Sequence, residues 1–177
     1  MRLASASAIP VCLAILCLSA CHREKTEATI LCRTLQQQSN LVDQINAKEA
    51  VLLTSVKTWA TKSAGGSSPD RDGATSLLKQ MRELEDSMFR LSASVQDVYL
   101  TTPYLQAVRD DVTMDLGIRQ TFIKSLAGPI QQADYDFSVN MLAIKNTVQS
   151  YRPPVNKLKD NLNEVRTRYA LSDSDIR

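Results

Sequence analysis

The sequence predicts an all-α protein: an elongated antiparallel helical bundle of three to five helices with coiled-coil-like packing. One observation is the scarcity of turn and aromatic residues, with 5 Gly, 6 Pro, 3 Phe and 1 Trp among 177 residues. Folds made of many short strands need more frequent turns than this. The other observation is that apolar residues recur at steps of three and four along most of the chain, as they do on one face of a helix.

The first helical segment is predicted at residues 28–63, which contain neither glycine nor proline. Such a helix would be about 54 Å long and needs partner helices along its apolar stripe. Gln38 and Glu49 interrupt the stripe, and polar residues in a helical seam can specify register or self-association. Alternatively, they lie at the surface or beside water. The stripe consists of Leu31, Leu35, Val42, Ile45, Leu52, Val56 and Trp59.

A loop follows at residues 63–73, which are rich in glycine and serine. The next stripe is the most regular in the chain and predicts a second helical segment. After it, Thr102-Pro103 has the pattern of an N-cap with proline at the first helical position, so we expect a break or kink there. The second stripe consists of Leu77, Met81, Leu84, Met88, Leu91, Val95 and Val98.

Two further proline motifs divide the C-terminal half. Gly128-Pro129 is typical of a helix stop followed by a new start. Pro153-Pro154 should interrupt the last arm, although the apolar phase continues beyond it. Three long kinked rods and a four- or five-helix bundle are both compatible with these breaks. The remaining stripes are Leu105, Val108, Val112, Leu116, Phe122, Ile123 and Leu126, and then Ile130, Ala133, Phe137, Met141, Ile144, Val148 and Tyr151, continued by Val155, Leu158, Leu162, Val165 and Tyr169.

The N-terminus has the organisation of an export signal. Met1-Arg2 is followed by a charge-free stretch, residues 3–20, whose apolar core is residues 9–18. That core is shorter than the ~20 residues that comfortably span a bilayer. It therefore fits the apolar region of a secretory signal better than a permanent membrane helix.

The charge-free stretch ends in Leu18-Ser19-Ala20-Cys21. This motif closely resembles the lipobox of bacterial lipoproteins, and the resemblance covers the first 21 residues. It implies a diacylglycerol on the Cys21 sulfur, cleavage just before that residue and acylation of the new amine. Several acyl chains, at ~0.8 kcal/mol per buried methylene, give a lasting anchor. The alternatives are an ordinary signal peptide cut at the same place or an uncut signal anchor. His22 in place of aspartate fits the outer membrane better than the inner membrane under the sorting rule of such lipoproteins.

These signals divide the chain into four parts. Residues 1–20 are expected to be a cleaved signal peptide, 21–27 a lipidated tether, 28–171 the helical bundle and 172–177 a frayed tail. Once Cys21 is acylated and the signal is removed, Cys32 is the only free thiol. We expect it to be inert and half-buried, with a disulfide between two chains as the alternative.

Composition and spacing argue against catalysis, cofactors and metals. The single histidine, His22, follows the proposed lipid attachment site, so no histidine is available in the bundle for a nucleophilic triad or haem ligation. The Glu-x-x-His pairs of di-iron bundles are absent as well. Asp111 and Asp115 form the best acidic pair on one helix face, which is more often solvated than metal-binding. With 21 Lys and Arg against 19 Asp and Glu, no basic field is present to attract nucleic acid.

Two short motifs are coincidental by the same reasoning. When the acidic turn at residues 70–73 is aligned as a calcium loop on Gly73, its first position is Ser68. Its twelfth position is Lys79, where a glutamate belongs. We interpret it as a polar turn leading into a helix. Ser76 and Lys79 match a serine–lysine catalytic pair, but the companion Lys-Thr-Gly motif is missing.

These expectations favour a non-enzymatic function. We expect a membrane-tethered lipoprotein of the cell envelope that acts as a helical interaction or structural module. Its partners would be membrane lipid, through acylated Cys21, and an envelope protein or a second copy of the chain. The alternative is an envelope binding protein for a small apolar ligand held between helices. An enzymatic function is the least favoured hypothesis, because the catalytic side chains that an enzyme needs are missing.

Overall fold

The computed structural model describes residues 9–64, 70–133, 137–154 and 158–176, with side chains from residue 21 onward. Across these residues the chain is all-α and no strand is present. The described part contains more helices than the three to five expected. The helices are α1 (Ile9–Gln37), α2 (Ser39–Ala64), α3 (Arg71–Gln96), α4 (Pro103–Gln131), α5 (Phe137–Ser150), α6 (Leu158–Arg168) and α7 (Asp173–Ile176).

The first six helices form four antiparallel arms. The first arm is α1 with α2, the second is α3, the third is α4, and the fourth is α5 with α6. Each arm packs against the next, and the fourth closes against the first, because α5 contacts α2 and α6 contacts α1. Lys48 of α2 donates to the Ser87 hydroxyl of α3, and Trp59, later in α2, donates to the carbonyl of Asp70 before α3. These contacts show that the first two arms run in opposite directions.

The predicted stripes form the core of this bundle. All residues of the first three stripes are buried, from the first arm through α3 to α4. The fourth stripe is only partly buried: Ile130, Ala133 and Ile144 lie in the core, whereas Met141 and Val148 pack at its edge. Among the described residues, the fourth arm contributes the fewest buried side chains of the four arms: Ile144 from α5, and Leu158 and Val165 from α6.

The helix expected over residues 28–63 is divided by a one-residue break at Gln38. The hydrogen-bond ladder continues on both sides of that residue. The Gln38 amide donates to the Thr34 carbonyl at 3.1 Å, and the Val42 amide donates to the Gln38 carbonyl at 3.0 Å. The break is therefore a local irregularity in one arm and not a turn, and no glycine or proline marks it in the sequence.

The start of α3 confirms the interpretation of the acidic turn as a helix cap. The Asp70 carboxylate accepts a hydrogen bond from the Gly73 amide at 3.1 Å and lies 2.6 Å from the Lys62 ammonium. An N-cap aspartate satisfies an amide that has no partner within the helix. Trp59 packs beside this cap with only 4% of its surface exposed.

Two of the three proline predictions are confirmed. Thr102 is the N-cap residue of α4, and Pro103 is its first residue. Pro153-Pro154 lies in the non-helical connection at residues 151–154, which separates α5 from α6.

The predicted helix stop and start at Gly128-Pro129 is wrong. Helix α4 runs through Pro129 and ends at Gln131, and the Gln132 amide donates to the Gly128 carbonyl at 3.0 Å. Proline has no amide hydrogen, so the Ser125 carbonyl loses the donor that residue 129 would otherwise supply. One lost hydrogen bond near the helix end is tolerated because the apolar face is already packed, with Leu126 and Ile130 both buried.

The C-terminal tail, expected to be frayed, instead forms a short helix that docks on α1. Ile176 is only 5% exposed, and the Arg33 guanidinium donates to the carbonyls of Asp175 at 3.1 Å and Ile176 at 3.4 Å. The turn into this helix contains Ala170 with φ 47°, and the Leu171 amide donates back to the Arg166 carbonyl. Arg177 lies outside the described residues.

Replacing either of two glycines by alanine should change the stability of the protein, in opposite directions. A Cβ atom at Gly73 would lie 2.6 Å from Trp59 Cδ1, whereas a Cβ atom at Gly117, inside α4, would meet no atom within 4 Å. We expect Gly73→Ala to destabilise the protein by about 1–3 kcal/mol through overpacking. Gly117→Ala should stabilise it by about 0.5–1 kcal/mol through helix propensity. Urea denaturation measures both, and a Gly73→Ala protein as stable as the parent would contradict the packing of Trp59 on the start of α3.

Candidate functional site

Cys21 is exposed, as is every residue from 21 to 26. These residues, expected to form a polar tether, are helical and continuous with α1. Nothing in the described bundle covers the Cys21 thiol. Residues 1–8 and the side chains of residues 9–20, where the signal peptide is predicted, lie outside the described part. Among the helices that the structure describes, none has both the length and the apolar character required to cross a membrane.

Glu27, the last residue of the predicted tether, is a buried structural residue, with 6% of its surface exposed. Its carboxylate accepts hydrogen bonds from the amides of Thr101 and Thr102, at 2.8 and 2.9 Å, and from the Thr101 hydroxyl. Arg23, one turn earlier, lies 3.3 Å away. The contact connects α1 to the turn between α3 and α4. This role was not predicted from the sequence, although Glu27 lies four residues before Leu31 and so extends the first stripe.

The surroundings of Glu27 favour its charged form. Burial raises the pKa of Glu27, but the hydrogen bonds donated by Thr101 and Thr102 outweigh that effect and lower the pKa from 4.5 to about 2. The folded state therefore binds a proton at this residue less readily than the unfolded state does. Its contribution to stability is fully present above about pH 4.5 and is lost as the pH falls towards 2.

Glu49 forms the second buried network with Arg119, and each residue is 4% exposed. The Glu49 carboxylate accepts hydrogen bonds from the Arg119 guanidinium and from the Tyr151 hydroxyl. Arg119 also donates to the Pro154 carbonyl at 3.3 Å. The Tyr151 ring stacks on Phe122, with centroids 3.6 Å apart and planes 9° from parallel. One cluster therefore joins α2, α4 and the connection between α5 and α6.

This network decides between the two interpretations of the polar stripe residues. Glu49 does not lie at a surface edge, because it is buried and ion-paired across the bundle. Burial, followed by the hydrogen bond to Glu49, raises the pKa of Tyr151, so its hydroxyl stays a donor. Gln38, in contrast, is half-exposed at the break between α1 and α2. The donors and acceptors of the Glu49–Arg119 network are directed at each other. The network therefore supplies the register and orientation of the helices that it joins.

The best acidic pair of the sequence lies beside this network. Asp111 and Asp115 line a crevice of about 30 Å³ together with Asn161 and Arg119. The Asn161 amide nitrogen is 3.5 Å from an Asp111 carboxylate oxygen. Within the described part of the chain, no three His, Cys, Asp or Glu residues are grouped to hold a metal ion. Ser68, the first position of the calcium-loop alignment, lies outside the described residues.

Cys32 is more buried than expected. None of its surface is exposed. Burial, partly offset by the charge of Arg166, raises the pKa of its thiol to about 11. The thiolate is the reactive form of cysteine. A disulfide between two chains would therefore require the core around α1 to open.

Two of the open grooves on the surface of the described bundle have mainly apolar linings and are large enough to hold a ligand or a partner side chain. The α1–α3 groove has a volume of about 650 Å³ and starts two residues after Cys21. Ile30 and Tyr99 leave the largest apolar surface there, with 46% and 79% of their area exposed. The groove is lined by Arg23, Thr26, Ile30, Thr34, Asp97 and Tyr99, among others.

The α2–α5 groove lies at the opposite end of α3, which is about 39 Å long. It has a volume of about 740 Å³. Lys57 and Lys145 line its two sides, and none of the described residues that line it is acidic. Its apolar lining includes Val56, Ala60, Met141, Leu142, Ile144 and Val148.

Comparison with known proteins adds no relative: no protein-family model, no curated protein and no solved structure matches the chain. The features of the described bundle that bear on function are Cys21, the two buried networks and the two grooves.

The Glu27 contact predicts how stability responds to acid. At pH 7, Glu27→Gln should destabilise the protein by about 1–3 kcal/mol, because the amide replaces an acceptor of charge-assisted hydrogen bonds. The difference in the free energy of unfolding from the parent should shrink as the pH is lowered from 4.5 towards 2. Urea denaturation at several pH values measures it. Glu24→Gln, at an exposed position of the same helix, is the control, and an equal effect of the two substitutions would contradict the assignment.

Proposed function

We propose that the protein is a lipid-anchored, non-enzymatic interaction module of the cell envelope. Its lipid is attached at Cys21, and its elongated bundle, with coiled-coil-like seams, binds an envelope protein through the α1–α3 groove. The lipobox motif and the exposed position of Cys21 support the anchor. His22 supports the outer membrane over the inner membrane. The observation that carries the proposal is the exposed apolar surface next to the attachment site.

Two side chains make this groove suited to a protein partner. Tyr99 is 79% exposed and Ile30 46%, so both leave apolar surface in contact with water, which is unfavourable. Tyrosine is among the residues enriched at protein interfaces, since it buries a large rigid ring and keeps a hydroxyl for hydrogen bonding. Charged Arg23 and Asp97 at the edges supply the polar rim that such interfaces have.

The groove is also held in shape before any partner arrives. Glu27 ties the turn that follows Tyr99 to α1 through Thr101 and Thr102. A prearranged surface loses less conformational entropy on binding, which favours affinity. The position of the groove, two residues after Cys21, places its partner close to the membrane surface.

A photo-crosslinking amino acid at position 99 tests the proposal in living cells. The same amino acid at Lys79, exposed on α3 outside both grooves, is the matched control. We expect a discrete crosslinked product from position 99 that Ile30→Glu abolishes and that position 79 does not form. Mass spectrometry should show lipid on Cys21. Cys21→Ser should remove the lipid, release the protein from the membrane and weaken the crosslink, whereas Cys17→Ser should do none of these.

Three outcomes would contradict this account. Equal crosslinking from positions 99 and 79 would reject the groove as a partner site. A Cys21→Ser protein that is unchanged in mass and still membrane-bound would reject the lipid anchor. A product with twice the mass of the chain would replace the envelope partner with a second copy.

The α2–α5 groove favours a second candidate function, the binding of a small apolar ligand between helices. Its volume of about 740 Å³ lies within the range of about 300–1,000 Å³ that is usual for small-molecule sites. Its lining is mainly apolar with a few polar groups, which is also typical of such sites.

A further inference from the structure

We propose that the α2–α5 groove binds a single-chain anionic amphiphile, a medium-length acyl chain that ends in a carboxylate. Lys57 and Lys145 hold the carboxylate, and the apolar lining holds the chain. This inference rests on the second candidate function. It does not depend on the protein partner of the α1–α3 groove.

The groove provides a surface for one acyl chain. Val56 and Ile144 are buried at its base, whereas Leu142 stands at its rim with 59% of its area exposed. On the α2 side the lining extends from Val56 to Ala64, a rise of about 12 Å along the helix. An extended chain laid along this length would remove the exposed apolar surface from water.

The two lysines lie at nearly the same level of the groove. Glu49 of α2 contacts Tyr151, which follows α5, and the two helices run antiparallel. Lys57 lies eight residues after Glu49, and Lys145 lies six residues before Tyr151. The difference of two residues corresponds to about 3 Å along a helix, so one carboxylate can interact with both ammonium groups.

Neither lysine has a partner among the described residues. Two other lysines of α2 do: Lys62 pairs with Asp70, and Lys48 donates to Ser87. Lys57 and Lys145 form no such contact in the described part of the chain. With no acidic side chain in the described lining, the groove presents uncompensated positive charge above an apolar base. This combination attracts an anionic headgroup, repels a cationic one and gives a neutral one only the apolar contacts.

Competition binding with a fluorescent fatty acid tests the inference on the full-length chain carrying Cys21→Ser, which lacks an attached lipid that could itself occupy the groove. The probe is cis-parinaric acid, whose fluorescence rises in apolar surroundings. The competitors are dodecanoate, dodecanol and dodecylammonium, which share one chain and differ only in charge. We expect dodecanoate to compete about tenfold more strongly than dodecanol, and dodecylammonium to compete most weakly.

Three variants assign the effect to the groove. Lys57→Gln with Lys145→Gln should weaken binding of the anionic probe and remove the advantage of dodecanoate, and it should leave the inhibition constant of dodecanol unchanged. Lys79→Gln with Lys159→Gln removes two exposed lysines elsewhere and should change nothing. Ala60→Phe should fill the groove and abolish binding of the probe.

The outcomes separate the inference from the function on which it rests. Equal competition by the three amphiphiles, or an unchanged preference in the double groove variant, would overturn the anionic headgroup while leaving apolar ligand binding intact. Parental binding of the probe by the Ala60→Phe protein would reject the groove as a ligand site and with it the second candidate function.

Discussion

The ion pair between Glu49 and Arg119 is the constraint on which the arrangement of the arms depends. Two charges taken out of water cost several kcal/mol each unless they meet each other in good geometry. Here they meet, and the Tyr151 hydroxyl and the Pro154 carbonyl complete the set of partners. Shifting α2 or α4 by one helical turn along its axis would leave Glu49 or Arg119 as a buried charge without its partner. Apolar stripes alone would tolerate such a shift far better, because one buried leucine can replace another.

The carboxylate of Glu27 fixes the first arm, α1 with α2, near its beginning. Glu27 binds the amides at the start of α4, and Glu49 binds Arg119 further along that helix. Two polar contacts 22 residues apart (49 − 27) define both the position and the direction of the first arm against α4. The same bundle carries the α1–α3 groove beside Cys21 and the α2–α5 groove at the far end. For the proposed functions, surfaces that are held in place before binding lose less conformational entropy.

Much of the fold could be predicted from the sequence because apolar spacing and proline chemistry are local signals. Every residue of the first three stripes is buried, and Thr102-Pro103 begins a helix as expected. The break at Gln38 could not be predicted, since no glycine or proline marks it. The course of α4 through Pro129 was missed because burial of the surrounding apolar face outweighs one lost hydrogen bond.

The candidate sites were harder to predict, because they depend on which residues meet across the bundle. Glu49 stood out as a polar residue on an apolar stripe. Its partner Arg119 lies three residues after Leu116 and four before Ile123, so it also occupies a stripe position. The spacing shows two opposite charges on two stripes, but only the folded bundle, in which the two side chains meet across the core, shows that they pair. The grooves left no sequence signal, since exposure follows from the packing of whole arms.

A double-mutant cycle on the buried pair tests the central claim most directly. Glu49→Met and Arg119→Met each leave the other charge buried without its partner, and each should destabilise the protein by about 3–5 kcal/mol in urea denaturation. The double variant leaves neither charge, so its cost should fall below the sum of the single costs by at least about 2 kcal/mol. Single costs below about 1 kcal/mol, or additive costs, would contradict the claim that this ion pair holds the arms in register.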